Sequence, residues 1–486
     1  MSQVQPFPRL AAAAIDGRTQ NARYKQAQFH ALQTALIAHI PEIKSALQTD
    51  STLSSQEITA EICLALKELR AHYLSLSLED DLQREYRIAE GKDNPDNARG
   101  VGMVYIVPGT HTMFASVVVA LSAAIAGGNC IILELQKNTL TLPPLLKRIL
   151  PEALDADTFA IAEERPDTTF LEQTLVVAQT EILPRPSQSL VSPSTARTIA
   201  VVDRTADIPT TAQSLVAGRF SFGGKSPYSP DLVLVQEFVL KALVEGILGT
   251  APKYISGPEG EERGKISNNP RRASPGLSVL DQAYKDPSAR VLVSGSDWGV
   301  VEVHDRASPL LKREGKIGEK VLLLHPVSSL DDAIDFANDF GTLAATYAFA
   351  APDSAKYITQ FIDAHLSFIN HLPTDLLIGP AFPTNIPVPE TLATRYTASS
   401  FQLPRPQFTT QSPTASLVQK ILDNPASERT KAWTEAISPL PPTRQKNGPR
   451  IGFFEQGIIT GGTITLTSFV AVVSTVGWYT ISFLRR

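Results

Sequence analysis

The stretch from Gln456 to Leu484 contains no charged residue and consists mainly of Ile, Val, Phe, Leu, Thr and Gly. It is longer than the ~20 apolar helical residues that cross a bilayer. Trp478 and Tyr479 lie near its end and Arg485-Arg486 follow it, as interfacial rings and a cationic anchor would. The pattern predicts a single transmembrane helix, residues 456–484, with the body of the protein in the cytosol. The alternative is a buried helix or strand pair, which two adjacent glycines and several β-branched residues permit.

The rest of the composition is that of an ordinary globular protein. With 486 residues and 43% hydrophobic content, two or three domains are expected at ~150 residues each. The net charge of −5 gives no overall attraction to phosphate backbones, so no nucleic-acid partner is expected. The two cysteines, Cys63 and Cys130, are too few for a disulfide framework or a four-cysteine zinc site, and no metal site is expected. No secretory signal is visible at the N-terminus.

The hydrophobic pattern alternates between helical and β spacing. Apolar residues recur every three or four positions over residues 20–76, interrupted at residues 49–51, which predicts helices. A β-rich run at 101–107, a helical run at 114–125 and a strand at 130–133 predict a βαβ unit of a doubly wound sheet. Further strands are predicted at 198–202, 232–235, 291–293 and 321–324, and further helices at 328–340 and 354–366. The predicted class is therefore α/β.

Two segments have the composition of connections. Residues 257–272 are polar and rich in Gly and Pro, and we predict a surface loop. Prolines recur from Pro404 to Pro449, which disfavours a packed domain and predicts a linker over residues 404–450 with short helical pieces.

Four local matches in the right order resemble the aldehyde dehydrogenase superfamily. They are Ala-Ala-Ile-Ala-Gly-Gly-Asn-Cys at 123–130, the segment 218–235, Asp-Asp-Ala-Ile-Asp-Phe-Ala-Asn at 331–338, and Phe-Ile-Asn at 368–370. The resemblance spans about residues 8–410. The hydrophobic tail narrows it to the fatty-aldehyde, class 3-like branch, whose members are often dimeric and anchored by the tail to internal membranes.

This resemblance implies an aldehyde-dehydrogenase-like fold with a Rossmann-type cofactor domain and an α/β catalytic-type domain. The N-terminal helices and cofactor domain would occupy residues 1–195, and the catalytic-type domain 196–403. Residues 404–450 would form the linker, with an oligomerisation segment at its start that pairs at a subunit interface, and 456–484 the tail anchor. A homodimer at the endoplasmic reticulum or another internal membrane is implied.

The family's nucleophile is a cysteine whose thiolate attacks the aldehyde carbonyl. Aligned on Pro230-Asp231, the cysteine position is Pro227 and the preceding glutamine position is Lys225. Proline supplies neither a thiol nor a backbone N–H for an oxyanion. We expect Cys63 and Cys130 to be core residues that do not replace it.

Two further catalytic positions of the family are altered. Counting back from Asp203, the general-base glutamate falls on Pro193, so no carboxylate base is present there. The asparagine that donates to the oxyanion falls on Thr110, in Pro-Gly-Thr at 108–110. The hydroxyl of Thr110 is a shorter donor than an amide.

The family's cofactor positions are altered as well. Its ribose-binding lysine becomes Glu134, and the glutamate that holds the nicotinamide ribose becomes Lys316. The Gly-Ser-rich phosphate turn corresponds to residues 177–181, which contain no glycine. We therefore expect no cofactor, or NAD or NADP if any activity is retained.

These positions lead to three functional hypotheses. The leading one is a membrane-anchored pseudoenzyme with a binding or scaffolding role toward a lipid or a biosynthetic enzyme. The second is an aldehyde dehydrogenase or other oxidoreductase of lipid or secondary-metabolite biosynthesis with a rearranged site. The third is a non-redox enzyme in which Ser226 or Ser229 beside Lys225 is the nucleophile and His111 or His371 the base.

Overall fold

The structure is a computed structural model that describes residues 6–180, 186–252, 278–295, 297–313, 315–423, 426–442 and 452–484. It contains two compact units, Met1–Thr410 and Gln411–Arg486. The predicted loop at 257–272 lies outside the described residues.

Five helices open the first unit. They are α1 (Pro8–Asp16), α2 (Ala22–Ala38), α3 (Ile40–Asp50), α4 (Ser55–Leu74) and α5 (Leu78–Tyr86). A capping box starts α4, because the Ser54 hydroxyl accepts from the Glu57 N–H and the Glu57 carboxylate accepts from the Ser54 N–H. The predicted helical region is confirmed, whereas its interruption lies at residues 51–54 and not at 49–51, because α3 continues through Asp50.

A parallel sheet follows, in the order β4-β3-β2-β5-β6. Its elements are β2 (Met103–Val107), α6 (Met113–Gly127), β3 (Cys130–Glu134), α7 (Leu142–Ala153), β4 (Phe159–Ala162), α8 (Thr168–Leu171), β5 (Leu175–Ala178) and β6 (Ser189–Val191), preceded by the short β1 (Ala98–Gly100). Every residue of α6 from Phe114 to Gly127 is buried, which is why this helix reads as a continuous apolar run. The predicted βαβ unit is confirmed.

A seven-stranded sheet forms the rest of this unit, in the order β13-β12-β7-β8-β11-β10-β9, and only the β9–β10 pair is antiparallel. Its elements are β7 (Thr198–Val202), α9 (Ile208–Phe220), β8 (Leu232–Gln236), α10 (Glu237–Thr250), α11 (Val279–Ala283), β9 (Ala289–Ser294), β10 (Trp298–Val303), β11 (Lys320–Val327), α12 (Leu330–Asn338), β12 (Leu343–Phe349), α13 (Pro352–Phe361) and β13 (Ala364–Ile369). The chain passes from one sheet to the other between Val191 and Thr198. A domain boundary at residue 195 stays a prediction.

One predicted element is wrong in part. The helix predicted for 354–366 ends at Phe361, and Ala364 begins the edge strand β13. The Asn338 side chain fixes this change of direction, because it accepts from the Asp363 N–H at 2.9 Å and donates to the Phe361 carbonyl at 2.9 Å. These contacts are not visible in the local hydrophobic pattern.

The segment after residue 400 forms β14 (Gln402–Pro404), which pairs antiparallel with β1 of the same chain. Its predicted pairing at a subunit interface stays a prediction. The second unit contains α14 (Pro413–Asp423), α15 (Ala426–Ala436) and α16 (Phe453–Leu484). Within α16, the segment Glu455–Trp478 has a mean hydropathy of 1.6, and none of it is buried against the rest of the described chain. It is a candidate membrane span by length and composition.

Candidate functional site

The loop between β2 and α6 carries the predicted oxyanion donor. Thr110 is exposed at its tip, whereas the next residue, His111, turns inward and its Nε2 lies 2.8 Å from the Leu377 carbonyl oxygen. Burial, aided by the charges of Lys225 and Lys316, lowers the pKa of His111 to about 4. A neutral His111 therefore donates to that carbonyl, and this loop directs it into the protein beside the buried Thr112.

The segment that leads to Pro227, the predicted nucleophile position, begins with a left-handed turn at Phe222. Phe222 has φ 50°, a costly conformation for a residue other than glycine, and its N–H donates to the Glu57 carboxylate at 2.6 Å. Pro227 is buried. Its carbonyl oxygen accepts from the Thr198 hydroxyl at 2.8 Å, so this position is packed into the start of β7.

The structure does not assemble the serine sites that were considered. The side chains of Ser226 and Ser229 are fully buried. The Ser226 hydroxyl accepts from the Tyr228 N–H at 3.2 Å, and among the described residues the Ser229 hydroxyl has no hydrogen-bond partner. Lys225 and His371 are exposed. In the part of the chain that the structure describes, neither serine hydroxyl is hydrogen-bonded to Lys225, His111 or His371.

Lys316 belongs to a buried ionic cluster. Its Nζ donates to Asp231 Oδ2 and to the Ser229 carbonyl, both at 2.8 Å. Arg219 Nη1 lies 3.3 Å from Asp231 Oδ1, and neither of those side chains is exposed. Burial lowers the pKa of Lys316 to about 8, opposed by the charge of Asp231. Lys316 thus holds a carboxylate of its own chain where the family's glutamate would hold a ribose.

Glu134 is also committed within the chain. It is only 4% exposed, and it accepts from the Tyr105 hydroxyl at 2.7 Å and from Arg165 Nε and Nη2 at 3.0 and 2.9 Å. The bidentate pair with Arg165 uses both carboxylate oxygens. Any ribose at this position would compete with these contacts.

The predicted phosphate turn is filled by side-chain contacts. Val177 and Ala178 end β5, and residue 181 lies outside the described residues. The buried Gln179 side chain accepts from the Gly109 N–H at 2.9 Å and donates to the Ser116 carbonyl at 2.8 Å. Ten residues separate the ends of β5 and β6, fewer than the dozen or more usual for a helical crossover.

A carboxylate lies at the amino end of α6. Glu61 of α4 is fully buried, and its Oε1 accepts from the Ala115 N–H at 3.2 Å. Among the described residues, its Oε2 has no partner. Burial raises the pKa of Glu61 to about 7. Glu61 therefore occupies a helix N-terminus, the position that attracts anions in such sheets.

The remaining predicted residues lie where they cannot replace a base or a thiol. Pro193 is half-buried between β6 and β7. Cys130 is buried, and burial raises the pKa of its thiol to about 12. Cys63 is exposed, so its expected place in the core is wrong. It lies on the outer side of α4, whose inner side carries Ile62 and Leu69.

Sequence reasoning missed Glu61 and Glu68 of α4. Both are buried, and burial raises the pKa of each carboxyl to about 7. Their spacing from Glu57, four and eleven residues, places all three on one face of a helix. This spacing could have been found in the sequence, because the glutamates fall on the same helical face as the apolar residues that α4 buries.

Comparison with known proteins gives a consistent set of relatives, although no family model matches the chain. Aldehyde dehydrogenase family 3 member B1 of Rattus norvegicus is 25% identical over 380 residues, covering 70% of this chain and 76% of the relative. The dimeric NADP-preferring aldehyde dehydrogenase of Mus musculus is 23% identical over 415 residues, covering 79% and 88%.

Solved structures share the fold. The substrate-bound AldH of Staphylococcus aureus has a TM-score of 0.61 at 16% identity, covering 88% of this chain and 98% of that one. An NADP-dependent enzyme of Escherichia coli has a TM-score of 0.62 at 14% identity, covering 82% and 88%. The chain has the aldehyde dehydrogenase fold. Its sequence is similar to those of family 3 member B1 and the dimeric NADP-preferring aldehyde dehydrogenase, at 25% and 23% identity.

Proposed function

We propose that this protein is a membrane-anchored aldehyde-dehydrogenase-like pseudoenzyme whose body has a binding or scaffolding role. The observation that carries the proposal is the buried Pro227, whose carbonyl is bonded to Thr198. No thiolate can form at a proline, and the oxidation requires a thiohemiacetal from which hydride leaves. A general base contributes ~10²–10⁴-fold and an oxyanion donor ~10²–10³-fold. Pro193 supplies no base, and the exposed Thr110 offers only a short hydroxyl donor in place of the amide.

Loss of cofactor binding is part of the proposal. Relatives are named NADP-preferring, so the family's nicotinamide cofactors are the ones to test. Against their binding here stand the Glu134–Arg165 pair, the commitment of Lys316 to Asp231, and the Glu61 carboxylate at the start of α6. The Ala115 N–H at the start of α6, a donor that a phosphate could otherwise use, is already bonded to Glu61.

We further propose that α16 anchors the protein to an internal membrane such as the endoplasmic reticulum, with the body in the cytosol. The support is the exposed apolar span Glu455–Trp478. A homodimer is proposed because a relative is named dimeric. A lipid or a biosynthetic enzyme at the same membrane is the partner that such an anchor would favour.

The test is calorimetric titration of the full-length protein in detergent micelles with NAD and NADP. We expect no binding at concentrations that saturate a family 3 relative measured in parallel. A variant with Pro227→Cys, Pro193→Glu and Thr110→Asn should remain without substantial turnover, because the cofactor positions are unchanged. Tight binding of either nucleotide would contradict the proposal and favour the oxidoreductase with a rearranged site.

A further inference from the structure

A cleft of about 510 Å³ opens at the amino-terminal edge of the seven-stranded sheet. Residues 195–197 lead into β7, Lys312, Arg313 and Gly315 precede β11, and Asp339 and Phe340 precede β12. The volume lies in the range of small-molecule sites, ~300–1,000 Å³. The described residues that line the cleft do not include Pro227, Pro193 or His111. The cleft is therefore separate from the position of the missing nucleophile.

Basic residues outnumber acidic residues among the described residues that line the cleft. Arg197, Lys312 and Arg313 line it, and Asp339 is the one acidic residue among the described lining residues. The charge of Asp231 acts on Arg197, and that carboxylate is already bonded to Lys316 and Arg219.

Arg197 is the central feature of this cleft. It is only 4% exposed, and its Nε and Nη2 donate to the carbonyls of Gly315 and Arg313. Its guanidinium lies 4.6 Å from the centroid of the Phe340 ring. Within the described residues, Nη1 is buried without a hydrogen-bond partner. The chain therefore holds a guanidinium rigidly and leaves one nitrogen unsatisfied.

A buried guanidinium without a counter-ion is unfavourable. Desolvation lowers the pKa of Arg197, the charge of Asp231 opposes this shift, and the nearby positive charge of Arg313 adds to it. An anion in the cleft would oppose the desolvation and the effect of Arg313, since it would supply the missing acceptor and a further negative charge. The ring of Phe340 and the side chain of Ala196 offer apolar surface beside that charge.

We propose that this cleft binds a small organic anion, namely a carboxylate or phosphate group carried on an aromatic or other apolar body. Arg197 and Arg313 bind the charged group, and Phe340 contacts the apolar part. The assignment does not depend on whether the protein oxidises aldehydes. It gives the body a ligand of defined chemistry.

The first experiment is calorimetric titration of the full-length protein in micelles at low ionic strength with phenyl phosphate, benzoate, inorganic phosphate and the neutral benzyl alcohol. We expect phenyl phosphate or benzoate to bind at least about tenfold more tightly than benzyl alcohol. Tighter phenyl phosphate identifies a phosphate site, and tighter benzoate a carboxylate site. Absence of binding by both aromatic anions would overturn the proposal.

Variants locate the site. Arg197→Met and Arg313→Met should each weaken binding about tenfold. Loss of the buried Arg197 could also disturb the fold, whereas the half-buried Arg313 can be replaced in a protein that we expect to fold normally. Asp339→Asn removes the acid at the rim and should strengthen binding about twofold to threefold, a gain that a damaged fold would not produce. The matched control is Arg148→Met on α7, which is paired with Glu42 and should leave the affinity unchanged. Equal affinities of Arg313→Met and the unmodified protein would contradict the assignment, as would equal weakening by Arg148→Met.

Discussion

Replacing Glu61 by glutamine should stabilise the fold above pH 7 and have little effect near pH 4.5. Burial raises the pKa of Glu61 from its ordinary value of 4.5 to about 7. The folded protein therefore binds a proton more tightly than the unfolded chain does. The stability from that proton is fully present below pH 4.5 and is lost as the pH rises through about 7.

The magnitude follows from the size of the shift. A change of one pKa unit corresponds to ~1.4 kcal/mol, so a carboxyl whose pKa rises from 4.5 to about 7 loses on the order of 3 kcal/mol of folding free energy above pH 7. Glutamine retains an oxygen that can accept from the Ala115 N–H, and it carries no charge. Glu61→Gln should therefore gain up to ~3 kcal/mol at pH 8 relative to the unmodified protein.

The assay is thermal unfolding of the full-length protein in the same micelles at pH 5 and pH 8, followed by circular dichroism. The Tm difference between Glu61→Gln and the unmodified protein should be several degrees larger at pH 8 than at pH 5. The exposed Glu152 of α7 gives the control Glu152→Gln, which should show no such pH dependence. A Tm difference that is the same at both pH values would refute the account of Glu61.

Three further predictions concern the buried cluster, the proline position and the anchor. Lys316→Met leaves Asp231 with Arg219 as its cationic partner and should lower the free energy of unfolding by ~3 kcal/mol in chemical denaturation. The control Lys92→Met removes the exposed pair with Glu90 and should change that free energy little. Thr198→Val removes the donor to the Pro227 carbonyl and should cost ~1 kcal/mol in the same assay; an unchanged midpoint would argue against that contact. Deleting the chain from Gly457 onward should release the protein from membranes, and a truncated form that still sediments after a carbonate wash would contradict the anchor.

Much of the fold was predictable because its signals are local. The apolar run of α6 and the β-rich runs beside it predicted a βαβ unit, and parallel strands buried on both faces read as continuous apolar segments. The helix predicted through Leu366 was wrong because a contact from Asn338, far away in sequence, ends α13 at Phe361.

The candidate site was less predictable because its contacts join distant residues. Sequence placed Pro227 and Lys316 at altered family positions, yet it did not show that Lys316 pairs with Asp231, 85 residues away. The neighbours Thr110 and His111 differ in direction, and only the conformation of the loop decides which one enters the protein. The unsatisfied nitrogen of Arg197 likewise depends on packing that no local pattern records.

The most direct test of the central claim is a measurement of aldehyde-dependent cofactor reduction by the unmodified full-length protein. Short-chain and long-chain aldehydes would be supplied with NAD and with NADP, with a family 3 relative as the positive control under the same conditions. We predict no reduction above the protein-free rate, because Pro227 offers no thiolate for the attack on the carbonyl. Robust reduction that is abolished by His111→Ala would contradict the claim and place an active redox site beside His111.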